Sequence, residues 1–145
     1  EGPFRLSAPG NSGDAFADGY PFFAGRFRYR LKIPLQRRGD YELRLSGRFA
    51  AARVWLDGAP VPCKMDGSAR LHLTGNNRVE AEIVSGNRNL YGPHHYIEEE
   101  PFAVAPNCFT MTGTWRDGKS PLYRDSYSFV PFGLTEVTLI ERGQA

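Results

Sequence analysis

The sequence predicts an all-β protein, an antiparallel β-sandwich in the form of a jelly roll. Three observations point there. Apolar residues recur at every second position in several short runs, which gives each run one face for a core and one for water. Turn dipeptides such as Asp57-Gly58 and Asp66-Gly67 separate the runs. No segment carries apolar residues at helical spacing. The 16 glycines and 11 prolines suit many short strands joined by turns, and an aromatic content of 13% suits the wide space between two sheets.

Residues 1–24 read as an irregular entry segment punctuated by proline and glycine. The cluster Tyr20-Pro21-Phe22-Phe23 is expected to anchor it, because four large apolar surfaces in a row are seldom left in water. Asp14 to Asp18 fit a short helical turn. The first strand alternates Phe27, Tyr29, Leu31 and Ile33 with Arg26, Arg28, Arg30 and Lys32, and Pro34 ends it because proline cannot donate to a ladder. Arg38-Gly39-Asp40 reads as a turn; the same triplet occurs in adhesion motifs, but three residues match too easily to carry integrin recognition. Tyr41, Leu43 and Leu45 make the second strand, and Val54 with Leu56 the third, with Trp55 out of phase on the opposite face.

Asp57-Gly58 supports the positive φ values of a tight hairpin turn, and residues 59–62 are extended after it. Leu71 and Leu73 point in and Arg70 and His72 out along the next strand; Val79, Ala81 and Ile83 point in along residues 78–84. Residues 85–108 form the longest irregular stretch, of the kind that often carries function. Residues 109–115 and 127–130 read as strands, the latter cut by Pro131, and residues 136–140 close the chain with Val137 and Leu139 inward. About eight strands result, with no internal repeat to support a propeller.

At 145 residues the chain is expected to form one domain, 1–145, and, beginning at Glu1 rather than Met, it is expected to be a fragment of a larger protein. The parent then sets whether it is secreted or cytoplasmic. Eighteen basic and 16 acidic residues give a net charge of +2, which predicts no nucleic-acid partner, and the alternating arginines read as a solvated sheet face. No apolar run is long enough for a helical membrane span. Cys63 and Cys108 allow one bridge or two free thiols, and without a Cys-x-x-Cys pair a thiolate zinc site is not expected.

Five pieces follow one another in a distinctive order: Arg28-Tyr-Arg-Leu-Lys-Ile-Pro34, Tyr41-Glu-Leu-Arg-Leu45, Val54-Trp-Leu-Asp-Gly58, Leu71-His-Leu-Thr74 and Asn77-Arg-Val-Glu-Ala-Glu-Ile83. Over residues 26–84 they resemble the sugar-binding jelly roll of glycoside hydrolases, the galactose-binding-like fold found in the family of β-galactosidase and β-glucuronidase. Asp57 stands where that family usually has Asn. Arg88-Asn-Leu-Tyr-Gly-Pro-His-His95 is similar to a stretch in such domains at the C-terminal ends of large bacterial glycosidases. The resemblance implies a non-catalytic accessory domain whose partners are carbohydrate and the catalytic domain of the same chain, with the acid/base pair on a separate barrel.

The residues themselves agree on the missing chemistry. Glycoside hydrolysis needs two carboxylates flanking the scissile bond. Glu98-Glu99-Glu100 are adjacent, so in extended chain they point to alternate sides and read as a solvated charge run. A metal reading would need His72, His94, His95 and a glutamate to converge, as in a stand-alone jelly-roll enzyme; hydrogen bonding of the loop histidines to backbone is the simpler role, so no metal or cofactor is expected. There is no nucleophile elbow, P-loop or Gly-x-Gly-x-x-Gly. A glycan contact would use aromatic faces with polar neighbours, and the candidates are Trp55, Tyr91, His94, His95, Tyr96 and Trp115. A protein-interaction or adhesion module is the remaining alternative.

Overall fold

The computed structural model describes residues 13–33, 38–92, 94 and 125–142. They fall in two compact units: Gly25–Ser85 with Gly133–Ala145, and Glu1–Ala24 with Gly86–Phe132. The first unit holds seven strands among the described residues: β1 (Arg26–Leu31), β2 (Gly39–Arg48), β3 (Ala51–Leu56), β4 (Ala59–Val61), β5 (Ser68–Leu73), β6 (Val79–Val84) and β7 (Gly133–Glu141). They make a four-stranded sheet ordered β1-β6-β3-β4 and a three-stranded sheet ordered β5-β2-β7, with every pairing antiparallel.

The register explains the core. Phe27, Tyr29 and Leu31 of β1 lie opposite Ile83, Ala81 and Val79 of β6, and Val54 of β3 also lies opposite Ala81. On the other sheet Tyr41 and Leu43 of β2 face Leu71 and Ala69 of β5. Residues from both sheets share one apolar cluster, in which Leu43 and Ala81 are fully buried and Val54 and Val79 nearly so. Burying one such aliphatic side chain contributes about 1.5–3 kcal/mol. A one-residue slip of any strand would exchange that cluster for the charged face, so the alternation also enforces the register.

Asp57 at φ 51° and Gly58 at φ 85° turn the chain between β3 and β4, as the Asp-Gly pair predicts for a two-residue hairpin loop. Asp57 has a second task. Its carboxylate accepts hydrogen bonds from the Arg78 amide at 2.7 Å and the Asn77 side-chain amide at 2.6 Å, tying this turn to the entry of β6. Both donors hold its carboxyl below the usual range, the Arg78 amide foremost.

Several expectations are corrected. Arg38-Gly39-Asp40 is no turn: β2 begins at Gly39, because Asp40 pairs with His72 and continues the ladder. Pro34 and the predicted strand at 109–115 lie outside the described residues. Leu139 packs against the core, whereas Val137 on the same face of β7 is exposed at its margin. Residues 127–130 are not a strand, for a reason that belongs to the second unit.

Candidate functional site

The second unit is held by a different logic. After β6 the chain makes a single helical turn, α1 (Arg88–Tyr91), inside the stretch expected to be wholly irregular. Its first two residues are buried polar ones: Arg88 is 2% and Asn89 1% exposed. Asn89 is a clamp. Its side-chain oxygen accepts from the Val130 amide at 2.9 Å, and its side-chain nitrogen donates to the Val130 carbonyl at 2.8 Å. A side-chain amide thus does what a neighbouring strand would do.

Two further positions of the segment are met in a similar way. The Ser128 amide donates to the His94 carbonyl. The Phe132 amide donates to the Asp14 carboxylate at 3.2 Å, and the Phe132 carbonyl accepts from the Ala15 amide at 2.7 Å. Residues 127–132 alternate, with Ser128, Val130 and Phe132 buried, and no strand pairs with them among the described residues. The period-two signal was real; among the described residues the Asn89 side chain, the Asp14 carboxylate and loop backbone groups meet its polar atoms. Asp14 to Asp18 do form the expected helical turn, with Asp18 donating from its amide to the Asp14 carbonyl at 3.0 Å.

Alternation sends Tyr127 and Phe129 to the opposite side, where they stack with centroids 5.5 Å apart and planes 4° from parallel. Phe22 meets both edge-on, at 6.2 Å from Tyr127 and 5.0 Å from Phe129. His94 completes the group, 5.7 Å from Phe22 and 5.8 Å from Tyr127. Tyr127 is 56% and Phe22 48% exposed, so the cluster is a surface and not a core. The expectation that residues 20–23 would be covered is corrected at Phe22, which stays about half exposed despite its ring contacts.

His94 is fixed from below. Its Nε2 lies 2.9 Å from the Asn89 carbonyl, so that nitrogen carries the proton and donates. The glycine before it is required: Gly92 sits at φ 84°, and a Cβ there would stand 2.9 Å from the His94 amide nitrogen. The motif Arg88 to His94 thus divides its labour, two buried residues, an exposed Leu90 and Tyr91, a turn, and an aromatic-cluster histidine.

Of the residues singled out from sequence, Tyr91 and His94 belong to this unit; Tyr91 is 67% exposed but shares no ring contact in the cluster. His95, Tyr96 and Trp115 lie outside the described residues, as do Glu98 to Glu100. Trp55 sits on the outer face of the four-stranded sheet, as its phase predicts, half-buried with the Arg28 guanidinium 4.2 Å above its ring. Tyr127 and Phe129 were missed as site residues because a strand reading consigned them to the sheet; their i, i+2 aromatic spacing next to Pro131 was the available signal. His72 makes a surface pair with Asp40 at 2.7 Å across β5 and β2. Among the described residues no three His, Cys, Asp or Glu side chains converge as metal ligands would.

The chain matches no protein-family model, no curated protein and no solved structure.

The first unit offers two further surfaces. A depression of about 440 Å³ is lined by Glu42, Pro62, Lys64, Ser68, Ala69 and Arg70, without an aromatic ring. Arg44 hydrogen-bonds Glu42 at 2.6 Å and holds its carboxyl below the usual range. The outer face of β1-β6-β3 is a charged ladder, in which Glu80 receives Arg78 at 2.6 Å and Arg28 at 3.0 Å. The Arg78 hydrogen bond, and then the charges of Arg28 and Arg78, keep Glu80 ionised. Cys63, a free thiol beside Ala69, has its pKa pushed up by burial, with Asp66 adding to it.

Proposed function

We propose that this chain is a non-catalytic accessory module of a bacterial glycoside hydrolase, of galactose-binding-like jelly-roll type, which contacts carbohydrate or its own catalytic domain. The observation that carries the reading is the five-piece pattern over residues 26–84, whose pieces run through β1, β2, β3, β5 and β6 in the order the resemblance requires. The contact role is supported by the cluster of exposed Phe22 and Tyr127 with half-buried Phe129 and His94. Flat aromatic faces suit the apolar face of a sugar ring, and the hydrogen bonds under His94 and Val130 hold the platform in place before a ligand arrives.

Isothermal titration of the chain with neutral plant and host oligosaccharides tests the carbohydrate role. Binding that disappears in Tyr127→Ala, with the fold retained, is the expected result. Silence across the panel removes the carbohydrate role and leaves packing on the catalytic domain. Hydrolysis of a glycoside by the isolated chain overturns the non-catalytic reading altogether.

A further inference from the structure

The sequence scatters arginine evenly, but the sheet gathers it. Arg26, Arg28 and Arg30 of β1 lie across β6 from Ala51, Arg53 and Trp55 of β3, with Val84, Glu82 and Glu80 between them. Arg78 enters the same face through Glu80. Five arginines against two glutamates leave this face at +3, while the whole chain stands at +2, so everything else nets −1. At about 3.4 Å per residue and about 4.8 Å between strands, the patch measures about 14 by 10 Å.

The two glutamates are the frame of the patch. Glu80 and Glu82 are 6% and 9% exposed, whereas the side chains of Arg28, Arg53 and Arg78 are 47%, 57% and 53% exposed. Buried carboxylates thus hold exposed guanidiniums in fixed directions; Arg28 leans from its register partner Glu82 to Glu80 and comes to rest on Trp55. Arg26 and Arg30 are exposed and have no hydrogen bond or ion pair among the described residues. A face of this kind repels cations and leaves two guanidinium forks open for oxyanions.

We propose that the outer face of β1-β6-β3 binds an acidic polysaccharide through its carboxylate or sulfate groups, with Arg26 and Arg30 as the primary contacts. The charge density favours a glycan over a nucleic acid. Duplex DNA presents one charge per about 1.7 Å, and a chain that dense would meet Glu80 and Glu82 in the middle of the patch. A polyuronate carries one charge per sugar, which suits a sparse set of guanidiniums. The choice of a glycan rests on the carbohydrate-module reading, but the face is built from other residues than the aromatic cluster.

The test is titration of the intact chain with polygalacturonate, dextran sulfate, uncharged dextran and duplex DNA at low ionic strength. Polygalacturonate separates the carboxylate source from the sulfate source. Binding to at least one acidic glycan, none to dextran, and loss on raising salt to about 0.5 M are expected. Arg26→Ala/Arg30→Ala should weaken that binding about five- to tenfold with an unchanged circular dichroism spectrum, and Tyr127→Ala should leave it unaltered. No binding to either polyanion, full binding by the double variant, or tighter binding of DNA than of both glycans would each overturn the proposal. Because the neutral-sugar titration reads the aromatic cluster and this one reads the arginines, either proposal can fail while the other stands.

Discussion

The two units solve one problem in opposite ways. In the sheet unit every strand satisfies its backbone against another strand, and the interior is apolar, from Leu43 and Leu71 to Val79 and Ala81. In the other unit the buried positions include Arg88, Asn89 and Ser128, and backbone groups of residues 128–132 are met by the Asn89 side chain, the Asp14 carboxylate and loop carbonyls. The first arrangement depends on a repeated pattern and tolerates conservative exchange at any one position. The second depends on individual polar atoms, each with its own geometry, and a single substitution removes the whole contact.

The sharpest way to break this contrast is Asn89→Ala. It leaves the Val130 amide and carbonyl buried without partners, at about 1–3 kcal/mol for each. Hydrogen exchange at Val130 should accelerate accordingly, and Asn89→Asp, which keeps the acceptor but not the donor, should restore part of the protection. Exchange at Val130 as slow in Asn89→Ala as in the parent would mean the clamp is ornamental. Leu43→Ala comes next. It opens a cavity at a fully buried position and should lower stability in urea by about 2–5 kcal/mol. A cost below about 1 kcal/mol would show that the sheets collapse onto the vacancy.

Acid should act mainly on the sheet unit. Asp57 and Glu80 have lowered pKa values in the folded chain, from the Arg78 amide and the Arg78 guanidinium respectively. A lowered folded value stabilises the fold above the unfolded pKa, and that contribution is lost as pH falls through the folded one. Urea midpoints should hold level above about pH 5 and fall below about pH 4. Asp57→Asn with Glu80→Gln should flatten that decline, and an equally steep decline in the double variant would assign it to other carboxylates. The smallest effect is at Cys63. With its pKa raised by burial, it holds little thiolate at neutral pH. In a Cys108→Ser background it should react with iodoacetamide more slowly than glutathione does, and a rate equal to that of glutathione would contradict its burial.

The sheets were legible because their information is local and repeated. Val79, Ala81 and Ile83 announce an inward face by spacing alone, and Asp57-Gly58 announces its turn because few residue pairs accept positive φ at both positions. The second unit was only half legible. Tyr91 and His94 could be marked as loop residues, and residues 127–130 as extended, but the sequence holds no sign that Asn89 reaches across 41 positions to stand in for a strand.

By itself, then, the chain's pattern determined an all-β architecture, the phase of each strand and the two-residue turn, since these follow from side-chain period and backbone sterics. Only the tertiary structure decided which strands became neighbours, and with that the two features on which function is proposed here. Sheet order brought Arg26, Arg28 and Arg30 together with Arg53 about one buried carboxylate row. Loop closure stacked Tyr127 on Phe129 beside Phe22 and His94. Charge and aromatic surface become sites only through distances between residues remote in sequence, and no local pattern encodes those distances.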